Sequence, residues 1–386
     1  MKTTPLLFSL TYFVLHAFHV CSAQEVISTF GITMNSIMDE TKQAQSIANP
    51  STGGFNLILS DLKKVYVYDH DSLGKIIHEV SKEKPNTNLI LLLGGITHND
   101  NTTVFLTGNN RSGVTSVPLD AETAVRKTEF LSNKERYIES FEYNNQFYLL
   151  TLQKYTSILT LYRFDPTGNA DSRVIDLTRF RFANSSRNKL YTVLSDSVNN
   201  TGMLMISKVK TNIPNTFDEV LNGGKLYIEN GKMILTLDNS TRSTILITVR
   251  LDNLTYALSS FQQLNTACDD KFTRSNSFLY RGNLYQVKFC NEEIHFQVYD
   301  TCKKAVIKRH LVNAENFDIF RNTIISRVGT GKESINANKI TFKRAAKDLD
   351  SAKVAIRKIT KGQPAILVFG PDEQPVVTIG GSLHFI

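Results

Sequence analysis

The chain has no tryptophan among its 386 residues, which excludes the Trp-Asp dipeptide that marks one large class of repeat proteins. No Gly-Gly pair recurs at a fixed period, so kelch-type repeats are not supported either. After the first residues, no stretch approaches 18 consecutive apolar residues, so no membrane-spanning helix is predicted in the mature chain.

Motifs for catalysis and for cofactors are missing as well. None of H-E-x-x-H, G-x-S-x-G, C-x-x-C and G-x-G-x-x-G is present. A run at 329–333 resembles the end of a phosphate loop, but Ser326 and Glu333 stand where that motif needs glycine and a hydroxyl residue, so a flexible turn is predicted. The residues therefore predict no catalytic residue, no metal site and no cofactor.

Two histidines have neighbours that resemble chemical sites. His70 lies between Asp69 and Asp71, and this run directly follows a predicted strand. A polar turn explains such a run more simply than a metal or acid–base group. His295 alternates with Ile294 and Phe296, which predicts a packed or edge histidine on a strand.

The first 23 residues have the features of an export signal. Lys2 precedes an apolar segment at 6–15, and Cys21-Ser22-Ala23 offers small residues for cleavage after Ala23. A lipoprotein signal acylated at Cys21 is the alternative, although Val20 fits it poorly. Export to the periplasm or the extracellular space is therefore predicted. Export would permit one disulfide among Cys268, Cys290 and Cys302, but their predicted strand positions favour buried free thiols.

Two strand-like runs recur every 42 to 51 residues, and most of the second runs end on an aspartate. The pairs are FNLILS with VYVYD, TVFLTG with TSVPLD, QFYLLTL with LTLYRFD, KLYTVLS with LMISKVK, KMILTLD with LITVRLD and LYQVKFC with IHFQVYD. They close at Asp69, Asp120, Asp165, Lys210, Asp252 and Asp300. Periods of about 40 to 50 residues are typical of four-stranded propeller blades. We interpret the aspartates as turn residues that accept backbone N–H bonds.

The pattern predicts an all-β chain, a β-propeller of six and possibly seven degenerate four-stranded blades. The predicted domains are a signal peptide at 1–23, the propeller at 24–312 and a basic C-terminal segment at 313–386. An amphipathic helix is predicted at about 343–360, because Ala345, Leu349, Ala352 and Ile356 recur at helical spacing. This segment either completes the last blade or forms a small appended unit.

The C-terminal segment is also the most basic part of the chain. From residue 301 to residue 361, 15 lysines and arginines stand against 5 acidic residues. The residues predicted to contact an anionic surface are Lys343, Arg344, Lys347, Lys353, Arg357, Lys358 and Lys361. Such a surface attracts anionic polymers or lipid headgroups, although a solvated helix face explains the same charges. No aromatic residues interleave with the charges, so no specific recognition of nucleic acid is predicted.

The export signal and the degenerate hairpins between Phe55 and Asp300 resemble β-propeller-like secreted proteins of the Bacteroidota type. The resemblance rests on pattern, so it implies a propeller outside the cytoplasm and transfers no functional residue. The first functional hypothesis for such a propeller is non-enzymatic binding or scaffolding, with an unidentified protein or glycan partner. The alternatives are an enzyme with its site in the propeller channel and adhesion to anionic surfaces through the basic helix.

Overall fold

A computed structural model of the chain describes residue 31 and residues 42–49, 53–99, 101–108, 112–120, 123–180, 189–195, 206–213, 215, 219–220, 222–240, 243–263, 274–290, 293–313, 352–357 and 366–371. The chain forms two compact units. The first unit comprises Met1–Asn109, Thr115–Lys127 and Pro166–Gly168, and the second comprises Asn110–Val114, Thr128–Asp165 and Asn169–Ile386. The fold is all-β, with several four-stranded antiparallel sheets.

The first unit holds sheet 1 and most of sheet 2. The strands of sheet 1, in spatial order, are β1 (Gln43–Asn49), β2 (Gly54–Ser60), β3 (Lys64–His70) and β4 (Ile76–Glu83). The strands of sheet 2 are β5 (Leu91–His98), β6 (Asn101–Thr107), β7 (Gly113–Pro118) and β8 (Arg126–Glu129). Along β2 the buried residues alternate with partly exposed ones, as expected of a strand with one face in the core. Ile58, Val67 and Val104 are among the fully buried residues of this core.

The second unit holds three sheets of four or five strands. Sheet 3 contains β9 (Glu135–Tyr143), β10 (Gln146–Gln153), β11 (Ile158–Phe164) and β12 (Ala170–Asp176). Helix α1 (Leu190–Ser195) follows, and sheet 4 contains β13 (Ser207–Val209), β14 (Gly224–Glu229), β15 (Lys232–Ser240), β16 (Ser243–Arg250) and β17 (Tyr256–Gln262). Sheet 5 contains β18 (Arg274–Tyr280), β19 (Asn283–Cys290), β20 (Glu293–Asp300) and β21 (Ala305–Val312). A two-stranded sheet pairs β22 (Ala352–Arg357) with β23 (Ile366–Pro371).

Five of the six predicted hairpins are present. They are β2–β3, β6–β7, β10–β11, β15–β16 and β19–β20, each paired antiparallel. Strand β10 is buried on both faces: Tyr148, Leu149 and Leu150 are at most 1% exposed. Apolar residues on both faces are expected where a sheet is covered on both sides. The apolar run QFYLLTL therefore packs with both of its faces covered.

Three hairpins turn at residue pairs that both have positive φ. The pairs are Asn144–Asn145, Asn230–Gly231 and Arg281–Gly282. Two-residue turns of this kind match the twist of the flanking strands and favour asparagine and glycine. These local residues fix where β9–β10, β14–β15 and β18–β19 reverse direction.

The fourth predicted pair is wrong in its first half, because the run KLYTVLS forms helix α1 instead of a strand. Leu190 and Leu194 are four residues apart and only 0% and 1% exposed, so the helical spacing places both in one core. In the second half, Ser207–Val209 forms β13, which pairs in parallel with β14 of sheet 4. Two predicted pairs therefore contribute to one sheet. The described residues contain five sheets of four or five strands, and six or seven blades stay a prediction.

The predicted C-terminal helix at about 343–360 is wrong over 352–357, where the chain forms β22. Val354 and Ile356 are β-branched and two residues apart, so the same short apolar run fits a strand as well as a helix. Pairing with β23 decides between them. Strand β23 itself spans Ile366–Pro371. The rest of the helix range lies outside the described residues, as do the proposed signal peptide and the chain ends.

Two of the three cysteines, Cys290 and Cys302, lie in or next to sheet 5. Cys290 pairs with Glu293 across the β19–β20 hairpin, and Cys302 follows the end of β20. As predicted, the two are not cross-strand neighbours. Cys302 is a free thiol, but it is exposed, so the prediction of a buried thiol is wrong there. It lies in the solvent-facing turn between β20 and β21.

Candidate functional site

A row of side chains crosses sheet 1 near the turns that join β1 to β2 and β3 to β4. The register pairs Ile47 with Asn56, Asn56 with Asp69, and Asp69 with His78. Residues directly opposite each other in an antiparallel pair project to the same face of the sheet. Asn56, Asp69 and His78 therefore form a polar row on one face of the first unit.

Asp69 and His78 make a direct contact at the end of this row. The Oδ2 atom of Asp69 lies 3.1 Å from the Nδ1 atom of His78. Asp69 is 9% exposed, whereas the side chain of His78 is 61% exposed. A buried carboxylate thus binds one nitrogen of an imidazole, and the other side of the ring is open to solvent.

The second carboxylate oxygen of Asp69 is unusual. Among the described residues, Oδ1 is buried and has no hydrogen-bond partner. Leaving a buried acceptor unpaired costs about 1–3 kcal/mol, and more for a charged group. Groups of this kind are rare in folded proteins and are found at sites that bind or react. Asp69 is therefore a stronger candidate for function than its burial alone would indicate.

A β-bulge sets the direction of His78. Asp69 pairs with His78 and His70 pairs with Ile76, so Ile77 is an extra residue in β4. Bulges of this kind bend the strand and re-aim the neighbouring side chains, and they are frequent beside active sites. Two hydrogen bonds stabilise the turn before the bulge: Asp71 Oδ1 accepts the N–H groups of Leu73 and Lys75 at 2.9 Å each.

A hydrogen-bonded set of amides and hydroxyls supports the row from the neighbouring sheet. Asn56 Nδ2 donates to Thr97 Oγ1 at 2.7 Å and to Thr102 Oγ1 at 3.2 Å. The two threonine hydroxyls also bind each other at 2.9 Å, and Asn49 donates to Asn56 Oδ1. This set joins sheets 1 and 2 within the first unit and fixes Asn56 beside Asp69.

His70 differs from its prediction. It lies inside β3 and is 1% exposed, so it does not belong to a polar turn. Its ring stacks on Phe55 with centroids 4.3 Å apart, and Nδ1 lies 2.9 Å from the Tyr68 carbonyl oxygen. The strand extends this far because the ring is covered by its cross-strand neighbour. Asp69 does bind a histidine, but this residue is His78 instead of the adjacent His70.

A second charged group lies in the second unit, between sheets 4 and 5. Lys225 is fully buried, and its Nζ lies 3.7 Å from Asp238 Oδ2. Asp238 also accepts the hydroxyl of Thr244 at 2.7 Å and the N–H and hydroxyl of Ser277 at 2.7 and 2.8 Å. Burial lowers the pKa of Lys225 to about 8, and the charge of Asp238 partly opposes that shift. This pair is closed to solvent, so it joins the sheets without offering a surface for a substrate.

Glu135 and His295 are two further buried titratable residues, and each has hydrogen-bond partners within the protein. Glu135 Oε2 accepts the hydroxyls of Thr151 and Tyr162, and Oε1 accepts the Ser132 N–H. Burial raises the pKa of Tyr162. His295 lies 3.0 Å from Glu293 and is 8% exposed, which confirms a packed strand histidine. Burial lowers its pKa, although Glu293 opposes the shift.

The predicted turn role of the recurring aspartates is confirmed where they close a turn. Asp165 Oδ1 accepts the Asn169 N–H at 2.9 Å, and Asp300 Oδ1 accepts the Cys302 and Lys303 N–H groups at 2.9 Å each. Asp120 Oδ1 accepts the N–H of Thr123. Asp69 is the exception, because it lies within β3 and binds a side chain.

The predicted basic contact residues are only partly described. Lys353 and Arg357 lie in β22, while Lys343, Arg344, Lys347, Lys358 and Lys361 lie outside the described residues. Contact with an anionic surface therefore stays a prediction, and so does a protein or glycan partner. In the part of the chain that the structure describes, no group of three or more His, Cys, Asp or Glu residues is placed to hold a metal ion. No helix among those residues is long and apolar enough to span a membrane.

Comparisons with known proteins give similarity at the level of the fold. No family model and no curated protein matches the chain. Solved structures of β-propeller type do match it. Cobalt-substituted apocarotenoid oxygenase from Synechocystis has a TM-score of 0.34 and 8% identity, over 70% of this chain and 61% of the oxygenase. The dihydro-heme d1 dehydrogenase NirN has the same TM-score and identity, over 70% of this chain and 48% of its own.

A prolyl endopeptidase structure has a TM-score of 0.34 and 12% identity, over 70% of this chain and 34% of the endopeptidase. The chain thus spans less than two thirds of each of these proteins. All three are enzymes by name, so the prediction of a non-enzymatic binding or scaffolding protein is wrong by this comparison. At this level of similarity, no residue, substrate or cofactor is transferred to the chain.

Proposed function

We propose that the chain is an enzyme in which His78, oriented by Asp69, is the general acid and base. The observation that carries this proposal is the buried carboxylate of Asp69, which binds an exposed imidazole through one oxygen and has no protein partner for the other among the described residues. The proposed reaction class is hydrolysis or elimination, because both need one group that removes a proton and returns it to a leaving group.

The geometry assigns a role to each nitrogen of His78. When Nδ1 carries the proton, it donates to Asp69 Oδ2, and Nε2 is left as the basic atom. Nε2 then accepts a proton from water or from substrate and later returns it to the departing group. Asp69 stabilises the imidazolium that forms between these steps, as carboxylates do in other acid–base pairs. The exposed side of the ring gives the substrate access.

A panel of chromogenic esters, glycosides and uronides tests the proposal. The wild-type protein should turn over at least one class of substrate. His78→Gln should lower kcat/KM by about 10² to 10⁴, the usual contribution of a general acid–base residue. Asp69→Asn should also lower kcat, since an amide donating from Nδ2 favours the other imidazole tautomer. His310→Gln is the matched control, because His310 lies in β21 of the other unit.

Equal activity in His78→Gln and His310→Gln would remove the proposed role of His78. Circular dichroism and thermal unfolding of each variant separate a loss of catalysis from a loss of structure. The substitution at Asp69 needs this check most, because its carboxylate is buried.

Export and blade number are part of this proposal. The support for export is the apolar leader before Ala23, and sequencing of the secreted protein should find Gln24 as the first residue. A protein that begins at Met1 after expression in an exporting host would refute cleavage. The support for six or seven blades is the repeat spacing, and an experimental structure that counts the sheets tests it.

A further inference from the structure

One end of sheet 3, in the second unit, is built from three segments of the chain. In the β10–β11 turn, the Lys154 N–H donates to the Lys134 carbonyl oxygen at 2.9 Å, just before β9 begins. The Ser157 carbonyl oxygen of that turn accepts the Leu177 N–H at 2.9 Å, just after β12 ends. The chain before β9, the β10–β11 turn and the chain after β12 therefore lie side by side at this end.

Each of these three segments exposes one large apolar side chain. Leu131 is 62% exposed, Tyr155 is 60% exposed and Phe180 is 40% exposed. Neighbouring strands lie about 4.8 Å apart, so the segments next to β9 and β12 are roughly 14 Å apart, with Tyr155 between them. We call these three residues the apolar tips. Exposed apolar groups that lie close together among polar residues mark interaction sites.

Backbone hydrogen bonds hold the two outer tips at this end of the sheet. The Glu135 N–H donates to the Ser132 carbonyl oxygen at 3.0 Å, which closes a turn directly after Leu131. The Phe180 N–H donates to the Leu177 carbonyl oxygen at 2.9 Å, which closes a turn directly after β12. Both tips therefore belong to ordered turns beside the β10–β11 turn.

Folding alone does not explain why the central tip is a tyrosine. The φ angle of Tyr155 is +62°, in the left-handed region that costs a bulky residue about 1–2 kcal/mol and that asparagine or glycine adopts more easily. Its ring lies edge-on to that of Tyr191, with centroids 5.2 Å apart, and Lys154 Nζ lies 4.9 Å from its centroid. Helix α1 is held here because the Tyr191 N–H donates to the Thr156 carbonyl oxygen at 3.0 Å. These contacts fix the direction of a ring that stays mostly exposed, and strain of this kind is typical of functional sites.

The charge around the apolar tips is mostly positive. Residues 131–136, 153–157, 176–180 and 189–191 contain five lysines and arginines and two acidic residues. Lys134, Arg179 and Lys189 are exposed. Of the two acidic residues, Glu135 is buried and bonded to protein hydroxyls, so Asp176 is the one that faces solvent. This end of sheet 3 therefore attracts anions while it exposes apolar groups.

We propose that the apolar tips and the basic residues around them are a docking surface for an anionic lipid bilayer. Leucine and phenylalanine enter the boundary between headgroups and acyl chains, and tyrosine suits that boundary because one end of its ring is polar. Lysine and arginine attract the anionic headgroups. The proposal does not rest on the acid–base role of His78, which lies in the other unit.

Two features favour a bilayer over other partners. The tips stand on separate turns, and a bilayer receives separate apolar groups without a matching pocket for each, as a protein partner would need. Leu131 has no ring on which a base could stack, whereas surfaces that bind single-stranded nucleic acid use rows of aromatic residues.

The first test uses the absence of tryptophan from the chain. Tyr155→Trp puts a single tryptophan at the central tip. Vesicles of equal parts phosphatidylglycerol and phosphatidylcholine should shift its emission to shorter wavelength, and lipids brominated on their acyl chains should quench it. Pure phosphatidylcholine vesicles should give a smaller shift, and added salt should reduce the shift with the anionic vesicles. Ile307→Trp is the matched control, because Ile307 is 57% exposed but lies within β21, and its emission should not change.

The second test compares the binding of variants by co-sedimentation with the anionic vesicles. Tyr155→Asn removes the ring and suits the positive φ, so it should weaken binding about tenfold while Tm stays within about 4 °C of the wild type. Lys134→Glu should also weaken binding at least about tenfold, since it reverses a charge beside the headgroups. Ile307→Asn and Lys308→Glu make the same kinds of change at exposed positions of β21 and should bind like the wild type.

Three results would overturn the proposal. The first is a wild-type protein that does not sediment with the anionic vesicles, or a Tyr155→Trp emission that stays unchanged while the protein sediments with them. The second is an equal loss of binding in Lys134→Glu and Lys308→Glu, because the attraction would then come from the net charge of the chain. The third is binding to poly(U) RNA that Tyr155→Asn weakens, without binding to vesicles, which would assign this surface to nucleic acid.

Discussion

Replacement of the buried Lys225 by methionine is the most quantitative test of the second unit. The Lys225 side chain is 0% exposed and that of Asp238 is 1% exposed. Lys225 Nζ also donates to the Asn222 carbonyl at 2.6 Å and to Asn276 Oδ1 at 3.3 Å. Methionine preserves the length of the side chain and removes the ammonium group, so the variant reports on the buried charge.

The expected effect depends on pH with a definite sign. Burial lowers the folded-state pKa of Lys225 from 10.5 to about 8. Between these two values the unfolded chain binds a proton that the folded chain does not, so raising the pH favours folding. At about 1.4 kcal/mol per pKa unit, the wild-type protein should gain about 3 kcal/mol from this group between pH 7 and pH 10.5. The Lys225→Met variant has no such group.

The assay is urea unfolding of both proteins from pH 7 to pH 10.5. The difference in unfolding free energy, wild type minus Lys225→Met, should rise across this range, because the titrations that both proteins share cancel. In a double variant, Lys225→Met with Asp238→Leu, the unfolding free energy should depend on pH in the same way as in Lys225→Met alone. A wild-type-minus-variant difference that stays constant within about 1 kcal/mol would refute the inference that Lys225 carries a costly buried charge.

Three further predictions concern single contacts. Tyr162→Phe should lower the unfolding free energy by about 1–3 kcal/mol in urea titrations, because Glu135 loses a hydroxyl donor while the ring is retained; no change would show that the bond is dispensable. Gly168→Ala should destabilise the protein by more than about 1 kcal/mol in thermal unfolding, since φ is +81° and the new Cβ would clash with the Ser116 side chain. A variant as stable as the wild type would contradict that geometry. Cys302 should react with a thiol reagent in the folded state at pH 8, and slow labelling would contradict its exposure.

Most of the strands could be predicted because their signals are local. The nearly continuous apolar run in QFYLLTL and the turn residues Asn144–Asn145 lie within a few residues of the structure that they specify. The errors arose where tertiary contacts decide between two local patterns. Leu190 and Leu194 fit a strand by composition and a helix by spacing, and their common core selects the helix. The run at 352–357 fits a helix by spacing, and pairing with β23 selects the strand.

The candidate site could not be predicted, because its members meet through register. Asp69 and His78 are nine residues apart, and their pairing depends on the extra residue Ile77 in β4. Nothing in the local sequence indicates that bulge. The sequence alone therefore points to the adjacent His70 as the histidine nearest to Asp69, and not to His78. The sequence did single out Asp69, although as a turn residue.

The most direct test of the central claim is the ratio of kcat/KM between the His78→Gln variant and the wild type, on the best substrate of the panel. The proposed acid–base role predicts a loss of about 10² to 10⁴ with unfolding curves that match the wild type. Wild-type activity in His78→Gln would contradict it, because no catalysis would then depend on the imidazole that Asp69 orients.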